Sequence, residues 1–160
     1  MTETSITQNA PILVAIDIAK AHHEVLIAIP VKKRRRRLTI LNQLDDFKRL
    51  IASLASYGLP VRVAFEATGN YQRAIAYHLA AAGFEIKLVS SVSLARTREA
   101  LHNSWDKNDP KGAQVILHMM EIGNTQFYHD HWRAAPTTFR SCPKPMTSSL
   151  NPRLNFGTAS

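Results

Sequence analysis

The feature that most limits the possible folds is the run Ile12-Leu13-Val14-Ala15-Ile16-Asp17-Ile18-Ala19-Lys20. It has the length and β-branched character of a buried strand, yet one acid interrupts it. A carboxylate at the end of a buried strand is costly to desolvate unless it meets a metal, a base or a hydrogen-bond donor. Asp17 therefore either caps a turn or pairs with Lys20, or else belongs to a set of groups brought together from elsewhere in the chain.

The segments after it supply a fold. Ala19 to His23 is a polar break, and Glu24 to Pro30 is a second apolar run ended by proline, so the two runs read as an antiparallel hairpin with His22 and His23 at its turn. The basic run Lys32, Lys33, Arg34, Arg35, Arg36, Arg37 leads into Leu38-Thr39-Ile40, a third strand that follows a turn or begins within the charges. From Asn42 the period changes: Leu44, Phe47, Leu50, Ile51 and Leu54 recur at helical spacing, with Asn42 as N-cap and Tyr57-Gly58 as the stop. Val61 to Phe65 is a fourth strand running into Glu66, where an acid again ends a strand. Tyr71 to Ala82 reads as a helix closed by Gly83, and Phe84 to Val89 as a fifth strand. A short helix then carries Leu94, Arg98 and Leu101, with Arg96 and Arg98 on its exposed side. A last helix starts near Asn108-Asp109-Pro110 and buries Ala113, Val115, Ile116, Met119 and Met120.

Residues 1–10 are expected to be disordered, 11–131 to form one domain, and 132–160, rich in Pro, Ser and Thr without a sustained period, to be a disordered tail. With 45% hydrophobic residues the chain can bury a real core. Lys and Arg outnumber Asp and Glu by 20 to 12, a formal charge of +8, which suits a polyanionic partner such as nucleic acid. No segment reaches the roughly 18 apolar residues of a membrane span. The first residues lack a secretory pattern and Cys142 is alone, so a cytoplasmic setting is expected.

Three strands, a helix, then strand, helix, strand, helix describe a mixed five-stranded sheet with flanking helices, the order of the ribonuclease H-like α/β fold. In that topology the first strand lies beside the fourth, so Asp17 and Glu66 converge at comparable strand ends. Oxygen-only donors select a hard ion, Mg²⁺ or Mn²⁺. The basic hairpin residues, with Arg73, Arg96 and Arg98, are phosphate-contact candidates, and solvated surface charge is the alternative for each. The histidines, His22, His23, His129 and His131, have none of the spacings of a zinc site. Trp105 can stack on a base or anchor a helix start.

Three blocks carry a family resemblance: Ile16-Asp17-Ile18-Ala19-Lys20, Phe65-Glu66-Ala67-Thr68-Gly69-Asn70-Tyr71, and Ser104-Trp105-Asp106-Lys107-Asn108-Asp109-Pro110-Lys111-Gly112-Ala113. In order and spacing, from about Ile12 to about Trp132, the chain resembles the DEDD-type insertion-sequence transposases, the group that includes the Piv/MooV DNA invertases. The resemblance implies a RuvC-like amino-terminal domain with a four-acid, divalent-metal set, in which Asp17 is the first acid, Glu66 the second and Asp109 the third. Where the family has its fourth acid, this chain has Gly112. Asp106 is a substitute whose direction helical geometry does not fix.

The implied function is DNA binding with metal-dependent strand cleavage and transfer in transposition or site-specific recombination. Partners would be DNA, a structured guide RNA, and a homo-oligomer or mixed oligomer with a full-length transposase. The family's serine-bearing carboxy-terminal domain has no counterpart here, so a truncated chain, inactive alone, is the expectation. A non-catalytic nucleic-acid-binding or inhibitory partner is the alternative. An actin-like kinase half is a third reading, weakened because Ile18-Ala19-Lys20 stands where a Gly-rich phosphate turn is needed.

Overall fold

Strand β1, Ile12–Asp17, lies inside a six-stranded sheet of order β3-β2-β1-β4-β5-β6. The other strands are β2 His22–Ala28, β3 Arg36–Leu41, β4 Val61–Glu66, β5 Glu85–Val89 and β6 Gln126–Phe127, and the helices are α1 Leu44–Ala55, α2 Gln72–Ala81, α3 Ser91–His102 and α4 Gly112–Glu121. The computed structural model describes residues 10–30, 32, 34–66, 70–102 and 112–128. The chain divides into Met1–His129 and Asp130–Ser160, and every described residue belongs to the first unit. The expectations for residues 1–9 and 132–160 lie outside the described residues.

Strands β1, β2 and β3 form an antiparallel meander, while β1 with β4 and β4 with β5 are parallel. Helices cover both faces, which is why β1 and β4 are apolar almost throughout: Ile12, Val14, Ala15, Ile16, Val63, Ala64 and Phe65 are fully buried. On one face Val14, Ile16, Val25, Ile27, Val63 and Phe65 pack with Phe47, Leu50 and Leu54 of α1 and Ile75 and Leu79 of α2. On the other, Ala15, Leu26, Ala64 and Val89 pack with Leu94 of α3 and Val115, Ile116, Leu117, Met119 and Met120 of α4. The small Ala15 and Ala64 let α4 lie close over the two central strands, and a buried Leu117→Ala change there would cost about 2–5 kcal/mol.

Local chemistry sets the element ends. The Gly83 N–H donates to the Ala80 carbonyl and the Phe84 N–H to that of Leu79, while Gly83 takes φ +84°. This is the left-handed termination that glycine permits, and it turns the chain straight from α2 into β5. At α1 the expected cap is corrected: Gln43 is the N-cap and makes no side-chain cap bond. The Asp46 carboxylate instead reaches back to accept the Leu41 N–H at 2.6 Å, and Asn42 donates to the Lys20 carbonyl at 3.1 Å. An acid one turn into the helix satisfies the entering backbone and fits the positive helix end.

Three further expectations change. The sheet has a sixth strand, because Gln126–Phe127 pairs antiparallel with β5, and two exposed residues carry no readable period. His22 and His23 belong to β2 rather than to a turn. His23 is fully buried, stacks on Phe47 at 6.1 Å and accepts the Ala19 N–H at Nδ1. The helix expected to be short after β5 extends over 12 residues, while β3 begins within the basic run, one of the two starts the sequence left open.

Candidate functional site

The two acids that end β1 and β4 come together because the strands are parallel and in register. Ile16 pairs with Phe65, so the next residues along, Asp17 and Glu66, emerge side by side. Neighbouring strands lie about 4.8 Å apart. Each acid sits two residues beyond a small buried residue, Ala15 or Ala64, that faces α4, so both carboxyl groups face the α3 and α4 side.

The hairpin adds a third acid that sequence reasoning missed. Asp17 pairs with Glu24 across β1 and β2, and Glu24 in turn pairs with Thr39 of β3. The row across the sheet is Thr39, Glu24, Asp17, Glu66 and Val89. Its signal in the sequence is two acids flanking one hairpin break. Only the register decides whether they share a face, since a slip of one residue sends Glu24 to the other side.

Among the described residues none of these three acids has an ion-pair partner within 4.0 Å; the pairs formed are Arg35–Glu121, Arg49–Asp46, Arg62–Glu85 and Lys87–Glu85. Burial pushes the Asp17 carboxyl above its ordinary range. The Glu24 charge adds to that, Arg98 opposes it, and Glu66 raises it further. Like charges on neighbouring strands repel.

Helix α4 starts directly on this site. A Cβ built on Gly112 would lie 2.7 Å from Asp17 Cγ and 3.2 Å from its Oδ1, with Oδ2 closer still. The Asp17 carboxylate therefore fills the space that a side chain at 112 would take. Asp109 and Asp106 lie outside the described residues.

Among the described residues the donors are carboxylate oxygens, which suit a hard divalent cation. Asp17 and Glu66 are the described residues placed to hold one. As the side chains stand, no group of three His, Cys, Asp or Glu among the described residues is gathered closely enough to close around a metal.

The basic candidates do not form one patch. Arg36 and Arg37 are consecutive strand residues, so they leave opposite faces of β3; Arg37, paired with Leu26, shares the acid face, while Arg36 pairs with Ile27. Arg36 lines a cavity of about 310 Å³ between β3 and α1, together with Leu38, Ile40, Asp46, Arg49 and Ser53. Arg35 is tied to Glu121 at 2.8 Å, and Lys32 lies 5.8 Å from the centre of the Tyr57 ring. Arg34, Arg73, Arg96 and Arg98 are exposed, and Arg98 is the cation whose field reaches Asp17. Lys33, Trp105, His129 and His131 lie outside the described residues. Among the described residues no helix is long and apolar enough to cross a membrane.

The central parallel pair, the antiparallel meander beside it and the helices on both faces define a ribonuclease H-like α/β domain. The structure of Thermus thermophilus RuvC in complex with a Holliday junction substrate is similar, with a TM-score of 0.51 and 11% identity over 74% of this chain and 100% of that one. Another Thermus thermophilus RuvC structure gives a TM-score of 0.47 and 13% identity over 73% and 99%. At 11% identity the likeness to the junction-bound structure is one of fold. No curated protein sequence matches the chain. The family model described as transposase, for the IS110-type DEDD group, matches residues 14–135, and the chain belongs to that family.

Proposed function

We propose that this chain is a DNA-binding transposase domain whose reaction is metal-dependent strand cleavage and transfer. The observation that carries this reading is the pair Asp17 and Glu66 at adjacent ends of parallel strands, unpaired by any described cation, in a chain of a transposase family. Asp17 and Glu66 hold the cation, joined by Asp109, which the family motif makes the third acid. Bound there, the cation supplies charge stabilisation to the oxygens of a phosphodiester under displacement. The apolar floor of Ala15, Leu26 and Ala64 limits the water behind the carboxylates and strengthens their electrostatic hold.

Arg98 and Arg37, on the acid face, bind the phosphates on either side of the cleaved one. Arg96, on α3 with Arg98, extends the contact along DNA or a structured guide RNA, whereas Arg36 and Arg73 belong to the α1 and α2 side of the sheet. Position 112 offers no carboxylate, so the chain alone is expected to cleave slowly. That same feature favours the second reading, a binding or inhibitory partner in mixed oligomers with an intact transposase.

Nicking of branched DNA with and without Mg²⁺ tests the proposal, using the wild-type chain and Asp17→Asn. Slow nicking that needs both Mg²⁺ and Asp17 supports it. Nicking that persists unchanged in the variant removes Asp17 from the site. DNA affinity should fall steeply with salt, because each neutralised phosphate adds about 0.9 to the slope of log affinity against log salt.

A further inference from the structure

We propose that the cavity between β3 and α1 is a nucleotide site. It takes a phosphorylated nucleoside, free or as one unit of a single strand, on the face of the sheet turned away from Asp17 and Glu66. The inference goes beyond the reading above and needs no cation.

The position of the cavity follows from the pairing of β3. Arg36, Leu38 and Ile40 alternate along the strand and pair with Ile27, Val25 and His23 of β2. Val25 and Ile27 pack with Phe47, Leu50 and Leu54 of α1, so the three β3 side chains share the α1 face. Among the described strands β3 is the edge of the sheet, and a space of about 310 Å³ lies between it and α1. The sheet itself separates this space from the acids at the ends of β1 and β4.

The lining combines an apolar floor with cationic groups. Ile40 and Leu50 are buried and Leu38 is half-buried, while Arg36 and Arg49 bring two guanidinium groups and Ser53 a hydroxyl. Thr39 alternates to the other face, so it meets the cavity through its main chain. An edge strand presents outward N–H and C=O groups, which can pair with the edge of a base.

Asp46 sets the charge of the site and aims Arg49. Its carboxylate accepts the Leu41 N–H and bonds Arg49, whose side chain stays 75% exposed. A guanidinium has five N–H donors, so the bond to Asp46 leaves others for a second anion. With Arg36 the lining holds two positive charges against one negative, in a chain of formal charge +8. Planar guanidinium forks match the oxygens of a phosphate, and the aliphatic floor matches the flat face of a base. A mononucleotide brings both. The volume stands at the lower end of the roughly 300–1,000 Å³ of small-molecule sites, which fits one nucleotide and excludes a duplex.

The test is calorimetric titration of the full chain in EDTA, as wild type, Arg36→Ala and Ser53→Phe, with thermal unfolding of each. The probes are thymidine monophosphate, inorganic phosphate, a short oligothymidylate and a glutamate-rich peptide. Thymidine monophosphate is expected to bind more tightly than phosphate. Its affinity should fall about tenfold or more in Arg36→Ala, which loses a charged hydrogen bond, and by a similar factor in Ser53→Phe, which fills the cavity and removes no charge. A Ser53→Phe loss that extends to the oligothymidylate assigns the site to a strand, and one confined to the mononucleotide assigns it to a free nucleotide. Absence of mononucleotide binding, equal affinity for phosphate, or wild-type affinity in both variants overturns the proposal. So does a peptide affinity that both variants lower as much as the nucleotide's, which makes the cavity a site for acidic protein. Should Ser53→Phe melt below the wild type, Arg36→Ala, at an exposed position, decides together with the phosphate comparison.

Discussion

Glu85 and Asp17 lie on the same face of one sheet, on strands separated only by β4, yet the fold treats them in opposite ways. Glu85 accepts from Arg62 at 2.7 Å and from Lys87 at 2.9 Å, and although burial pushes its carboxyl up, these two bonds hold it below the ordinary range. Asp46 is similar: the Leu41 N–H, and then Arg49, hold its carboxyl low. Among the described residues Asp17 has burial and the Glu24 and Glu66 charges against it and only the field of Arg98 in its favour. An acid kept for structure is given donors from its own chain. Asp17, the metal ligand we propose, has no such donor among the described residues and is crowded by other acids.

The largest effect expected from this contrast is at Asp17 and Glu66. Asp17→Asn or Glu66→Gln should lower Mg²⁺-dependent nicking by about 100-fold or more, while Asp46→Asn leaves divalent-cation affinity at the wild-type value. Equal losses in all three would erase the distinction between structural and site acids. Next comes Gly112→Ala, which removes no donor but places a methyl group in the space of the Asp17 carboxylate. It should weaken Mn²⁺ binding measurably even though alanine is the better helix former by about 1 kcal/mol. Undiminished affinity would mean that Asp17 binds the ion from a different position.

Glu85→Gln sharpens the comparison from the other side. It leaves Lys87 nearly buried beside the Phe127 ring without its carboxylate, and because Glu85 itself is 38% exposed the cost is expected to be only about 1 kcal/mol in urea unfolding. The acid dependence of stability follows the same division. Asp46 and Glu85 have lowered values in the folded chain, so their contribution is present above the unfolded values of 3.8 and 4.5 and is lost as pH falls below them. Asp46→Asn and Glu85→Gln should each flatten that acid limb. His23 adds a limb at higher pH. Burial holds its value below the ordinary 6.5, and its Nε2 has no partner among the described residues. The stability it allows is complete above 6.5 and falls as pH drops below it, and His23→Phe should remove this slope from melting temperatures measured between pH 8 and 5. The smallest effect belongs to the surface pair Arg35–Glu121, where Arg35→Ala should change stability by less than about 0.5 kcal/mol.

Much of the fold is legible in the amino-acid sequence. Apolar runs with β-branched residues locate β1 to β5, helical spacing locates α1, α2 and α4, and two acids at strand ends mark the site. The misreadings have a common origin. Asn42 is a good N-cap by type, but Asp46 reaches the backbone first, a choice made by the angle at which β3 enters α1. His23 reads as a turn residue because imidazole is polar, and its burial against Phe47 depends on which face of β2 it occupies. The basic run reads as a row of phosphate-contact candidates, but alternation along β3 sends Arg36 and Arg37 to opposite faces.

What the sequence determines by itself is the elements other than β6, the family, and the acids Asp17 and Glu66 at strand ends, because periodicity and local motifs are properties of neighbours along the chain. Register and helix placement are decided by tertiary structure alone. Pairing Asp17 with Glu24, and seating Gly112 against the Asp17 carboxylate, depend on contacts between residues far apart or across a turn whose geometry the local pattern does not specify. A slip of one residue in the hairpin would leave every strand in place and send Glu24 to the other face.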